Sequence, residues 1–138
     1  MSQARIRAAF EQRLASWAAT QSLPVAWQNA PGNLPTVDHL RAYLLPAETT
    51  SRDLAGKSRS YRGLIQVTVF VKSGQGAGKA EQIARKLDEL FPTALVMQSG
   101  GLAVTVVGPV YVMPSIQESD WYSVPCRCRY GAEEVLTA

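Results

Sequence analysis

Ile6, Phe10, Leu14 and Trp17 recur at intervals of four, four and three residues, with Ala9 and Ala18 beside them. Arg7, Glu11, Arg13 and Ser16 fall mostly elsewhere. This is one apolar face at helical spacing and predicts a helix from about Ser2 to Thr20, ended before Leu23-Pro24. The period then shifts to two. Val25-Ala26-Trp27 predicts a short extended segment, cut off by Asn29, Pro31, Gly32 and Pro35. His39 to Ala47 predicts a strand with Leu40, Ala42 and Leu44 on one side, and Pro46 places it toward a sheet edge. The clearest strand is Tyr61 to Lys72, where Ile65, Val67, Val69 and Val71 alternate with Leu64, Gln66, Thr68 and Phe70.

Gly74, Gly76 and Gly78 break the chain before a second helix. Its apolar stripe is Ala80, Ile83, Ala84, Leu87, Leu90 and Phe91, and Pro92 stops it. Beyond it the pattern is β throughout: Leu95 to Gln98, a turn at Ser99-Gly100-Gly101, and a long run from Leu102 to Val112 bent at Gly108-Pro109. A last strand runs from about Asp120 to Tyr130, with Tyr122, Val124, Cys126, Cys128 and Tyr130 on one face. Pro125 suggests an edge position for it, and Gly131 to Ala138 reads as a loose tail. The expected fold is α+β, a mainly antiparallel or mixed sheet with two helices on one face. At 138 residues it is one domain without repeat or linker.

Between these elements, Glu48 to Ser60 lacks apolar periodicity and predicts a flexible loop or a protruding hairpin. Arg52, Lys57, Arg59 and Arg62 cluster there against the single acid Asp53, a basic arm suited to contact with a partner. Trp121, Tyr111, Tyr61 and Phe70 are expected on the sheet face away from the helices. Together with Arg127 and Arg129 they suit a protein interface.

Composition narrows the chemistry. Apolar residues are 46% and charged ones 18%, a globular balance. No apolar run approaches the ~20 residues that cross a bilayer. The N-terminus lacks a signal-peptide block, so the protein is expected to stay where it is made. Net charge +3 permits contact with nucleic acid without requiring it. Arg62-Gly63-Leu64-Ile65 has the basic residue and glycine of an RNA-binding strand but aliphatics where stacking aromatics belong. Cys126 and Cys128, one residue apart on a strand, sit about 7 Å from each other, too far for an unstrained disulfide. They read as reduced, packed thiols. With His39 as the only histidine, neither a zinc site nor a nucleophile–base pair can be assembled, and His39 reads as a surface residue at a strand entrance. Gly74-Gln75-Gly76-Ala77-Gly78-Lys79-Ala80 falls short of a phosphate-binding loop: three residues separate Gly74 from Gly78 and Ala80 has no hydroxyl. No catalytic, cofactor-binding or metal-ligating residues are expected.

Several segments taken in order carry a resemblance. They are Ile6-Arg7-Ala8-Ala9-Phe10-Glu11 with Arg13, Leu14 and Trp17; Leu23-Pro24-Val25-Ala26-Trp27-Gln28-Asn29; Tyr43-Leu44-Leu45-Pro46; Tyr61-Arg62-Gly63-Leu64-Ile65-Gln66-Val67; and a Gly-rich turn before a helix ending Leu90-Phe91. The series, from about Ile6 to Tyr130, resembles the tail terminator-like proteins of long-tailed phages and prophages, a group similar to the lambda-type tail terminator. The resemblance implies a non-enzymatic virion tail protein, made in the bacterial cytoplasm. It implies a hexameric ring that caps the tube, ends its growth and offers a docking surface to the head. The implied partners are further copies of the chain, the major tail tube protein and a head-completion or connector protein, with no membrane and only incidental DNA contact. A small basic nucleic-acid-binding protein or head–tail adaptor of a phage is the alternative reading.

Overall fold

The computed structural model describes residues 2–28, 34–51 and 54–135. Helix α1 (Ser2–Thr20) leads into β1 (Val25–Trp27), β2 (His39–Pro46) and β3 (Ser58–Lys72). Helix α2 (Gly78–Leu90) follows, then β4 (Val96–Ser99), β5 (Leu102–Val106), β6 (Tyr111–Val112), β7 (Ile116–Gln117) and β8 (Trp121–Val135). All eight strands join one sheet in the order β1-β2-β3-β8-β5-β4, with β6 and β7 also on β8. The β1–β2 pair is parallel and every other pair antiparallel, as expected of a mixed α+β fold.

The two long strands are the spine. β3 and β8 pair along fifteen residues, Ser58 opposite Val135 and Lys72 opposite Trp121. Directly opposed residues share a face, so the register sorts every side chain. Leu40, Val69 and Val124 point one way with Ala42, Val67 and Cys126, and with Leu44, Ile65 and Cys128. All nine are buried. Both helices cover this inner face. Ile6, Phe10 and Leu14 of α1 and Ala80, Ile83, Ala84 and Leu87 of α2 belong to the same core cluster. Phe10 lies 5.5 Å from Phe91 and 5.8 Å from Tyr130, ring centre to ring centre, joining both helices to β8. The last turn of α2 carries no cation of its own; Arg13 of α1 donates to Leu90 O at 2.7 Å and satisfies one of its open carbonyls.

Two expectations change. Residues from Gly131 on are not a loose tail as far as Val135, because β8 continues to that point and pairs with both β3 and β5; residues 136–138 lie outside the described residues. Pro125 does not mark an edge, since β8 lies inside the sheet. Its carbonyl accepts from Met113 N at 2.8 Å, so its ring nitrogen faces the short stretch where β6 hands over to β7 and no donor is required. Of the two readings of the segment between β2 and β3, the hairpin holds: Thr50 and Ser60 exchange both backbone hydrogen bonds, and β3 begins at Ser58. Pro46 ends β2, and the sheet edges are β1 and β4.

The turn between β4 and β5 is Gly100-Gly101, with φ of +56° and +84°. Positive φ at both central positions suits a tight hairpin of the primed type, and glycine adopts it without steric cost. Gly63 is glycine for space. A Cβ there would meet Tyr130 Oη at 2.6 Å, Leu45 O at 2.7 Å and Pro46 Cα at 2.9 Å, two of them backbone contacts that cannot swing aside. Gly63→Ala is therefore expected to destabilise the fold by about 1–3 kcal/mol in urea titrations; an unchanged midpoint would contradict this packing.

Candidate interaction surface

The opposite face of the sheet has no helix on it. The same register assembles it in rows across β3, β8 and their neighbours. His39, Phe70 and Ser123 form one row, and Gln66, Arg127 and Tyr111 another. Leu64 stands beside Arg129, Arg62 beside Gly131 and Thr105, and Ser60 beside Glu133. Arg41, Arg62, Lys72, Arg127 and Arg129 all belong to this face; Lys72 acts electrostatically on Asp38, and none of the four arginines forms an ion pair with a carboxylate among the described residues. Arg127 donates to Gln66 Oε1 at 3.0 Å, and the Arg129 guanidinium lies 5.0 Å from the Tyr111 ring centre.

At one end of the face is an aromatic cluster. His39 stacks on Phe70 at 5.0 Å, Trp121 sets its edge against both rings, and Arg41 lies over Phe70 at 3.9 Å. His39 is completely buried there, against the expectation of a surface residue. The rings that cover it come from β3 and β8, far away in sequence. Its hydrogen bonds set its state. Nδ1–H donates to Val37 O at 2.7 Å, which leaves Nε2 to accept from Arg41 Nε at 3.1 Å. A second proton would meet Arg41 head on. Burial lowers the His39 pKa, with Arg41 acting in the same direction, against the opposing pull of the Val37 carbonyl and Asp38. Asp38 turns away from the ring, accepting from Lys72 N at 2.9 Å and pairing with Lys79. Burial alone would raise the Asp38 pKa, but those contacts together hold it below the ordinary value. Lys79, in the Gly-rich segment considered for phosphate binding, is thus engaged by a carboxylate.

At the other end is an open depression of about 700 Å³, lined by Arg62, Thr105, Val107, Arg129, Gly131 and Glu133 among others. Gly131 contributes no side chain to its floor, where the Val107 side chain lies close by.

The sequence-predicted interface residues divide. Arg62, Arg127 and Arg129 come together on the bare face, and Trp121 shares that face at the aromatic end. Arg59 is exposed, but its strand parity is that of Ile65, opposite to that of Arg62, so the basic arm does not present a single patch. Lys57 is exposed just before β3, and Arg52 lies outside the described residues. Tyr61 is not on the bare face. It stands an even number of residues from Ile65, on the helix-covered side, and donates to Glu134 Oε1 at 3.0 Å; Glu134 also pairs with Arg5 of α1. Gly131, Thr105, Val107 and Arg41 went unrecognised in the sequence. For Gly131 the available signal was its place at the end of an alternating run.

No group of three or more metal-ligating side chains occurs among the described residues. Burial pushes the Cys126 thiol up to about 11 and, with Asp88 adding, the Cys128 thiol up to about 12, so neither supplies a thiolate near neutrality. No described helix is long and apolar enough to cross a membrane.

Two helices on one face of a curled mixed sheet, with the other face bare and rich in arginine, define an α+β protein equipped for surface contact. The phage tail terminator protein family matches residues 5–130, and the chain belongs to that family, a family of phage tail structural proteins. A solved structure without a functional name is 48% identical, with a TM-score of 0.83 over 100% of this chain and 99% of the other. A chain in the virion of a native gene transfer agent particle shares the fold at 12% identity, with a TM-score of 0.64 over 96% of this chain and 97% of that one. No curated protein matches.

The buried imidazole gives this face a pH signature. Because the folded pKa lies below the ordinary 6.5, the unfolded chain binds the proton first. Stability is full above 6.5 and falls as pH drops through that value toward the folded one. The Asp38 contribution is lost only in a lower window, below its ordinary 3.8. Urea midpoints measured from about pH 7.5 to about pH 5 should fall for the wild type and be flatter in His39→Gln; equal slopes would remove His39 as the cause.

Proposed function

We propose that this chain completes a phage tail as a ring of six copies, seated on the last ring of tube protein, where it ends polymerisation and presents a surface for the head. Membership of the terminator family supports the reading, and the uncovered arginine-bearing sheet face carries it physically. Arg41, Arg62, Arg127 and Arg129 form no ion pair with a carboxylate among the described residues, and a neighbour that supplies acceptors would offer them one. A ring requires a head-to-tail contact whose rotation closes. Once closed, modest contacts repeated around it act together, so each can be weak alone. The partners are further copies of the chain, the major tail tube protein and a head-completion or connector protein, with DNA contact incidental.

The basic segment of Arg52, Lys57 and Arg59 is assigned to the tube or a neighbouring subunit. Leu54 at its tip is fully exposed, an apolar contact set among charges. Phage lacking the protein should assemble overlong, headless tubes visible by electron microscopy; normal tails with attached heads would end the reading. Lys57→Glu combined with Arg59→Glu should cut the yield of complete tails while leaving the urea midpoint nearly unchanged, because both side chains are exposed. Unimpaired tails would remove the hairpin from the interface. Tight DNA binding that weakens steeply with added salt would favour the adaptor reading instead.

A further inference from the structure

The bare sheet face ends in two surfaces of opposite character. Around the depression stand Arg62 and Arg129, with Val107 55% exposed and Gly131 contributing no side chain to the floor. Glu133 is the one carboxylate of the lining, set a row further toward the hairpin. At the other end of β8, the β7–β8 corner projects Ile116, 49% exposed, with Glu118 and Asp120 beside it. Neither carboxylate makes a hydrogen bond or ion pair among the described residues. Lys72 and Arg41 are the cations of that end, Arg41 drawn over Phe70 and hydrogen-bonded to His39, while Lys79 is held by Asp38.

These surfaces complement each other and cannot meet within one chain. Ten residues of β8 separate Trp121 from Gly131, up to about 33 Å of extended strand. We infer that the β7–β8 corner of one copy docks in the Arg62–Arg129 depression of the next, Ile116 against Val107 and the floor, Glu118 and Asp120 against the arginines. The contact is heterologous, since a different patch is used on each partner, so it propagates and closes only if its rotation permits. Six steps of about 30 Å would close a ring of about 30 Å radius. The inference rests on the ring reading and names the contact that builds it. Desolvated arginine–carboxylate pairs supply orientation and register, and the exposed apolar residues supply burial.

The test uses full-length chains. Val107→Cys and Ile116→Cys variants, mixed and mildly oxidised, should give the mixed disulfide dimer several-fold above its share from random collision. Arg62→Glu with Arg129→Glu on the Val107→Cys chain should abolish that excess, and Glu118→Arg with Asp120→Arg on the Ile116→Cys chain should restore it. Near-random yield, or indifference to charge reversal, overturns the contact. A chain carrying both cysteines separates this inference from the ring itself. A covalent ladder ending at six supports both. A ladder running past six upholds the contact and removes sixfold closure. Hexamers seen on tails without the link keep the ring and discard the contact.

Discussion

Everything in this molecule hangs on the pairing of β3 with β8. Fifteen opposed residue pairs fix which side chains face the helices and which face outward. Side chains alternate with a period of two, so a slip of one residue would exchange the faces, sending Val67 and Cys126 outward and Gln66 and Arg127 into the core. The hydrophobic alternation of β3 forbids the slip. Gly63 adds a second lock, because Tyr130 and the end of β2 close over it at distances only a missing side chain allows.

The consequence is a division of labour between faces. One holds the apolar residues, both cysteines and the Tyr61–Glu134–Arg5 strut, and holds the helices in place. The other holds arginines and aromatics in rows and is left open. His39, Ser60, Thr68 and Ser123 face outward by register yet are buried; Phe70, Trp121 and Arg41 close over His39. The family identifies a structural tail protein, and the geometry offers such a protein a broad recognition surface built on rigid strands rather than on loops.

Much of the fold was legible because its elements are locally consistent. The α1 face repeats at helical spacing, and the β3 alternation and the glycines around α2 each state one answer. What failed were inferences about neighbours. Pro125 looked like an edge residue because a sequence does not show that β6 and β7 leave a gap opposite it. Gly131 to Val135 looked loose because Gly131, Glu133 and Glu134 weaken the pattern, whereas two flanking strands hold that segment in place. His39 looked exposed because its cover comes from residues about thirty and eighty positions away. Tyr61 is the instructive case: counting in twos from Ile65 places it on the helix side, and its aromatic character outweighed that count.

The two cysteines bear on the particle's later life. Oxidising surroundings convert accessible thiols to disulfides. Cys126 and Cys128 are free, sealed beneath the helices and held as neutral thiols. A thiol that neither ionises nor meets solvent is a poor target for oxidant. A change to oxidising surroundings thus leaves the covalent state of the subunit unchanged.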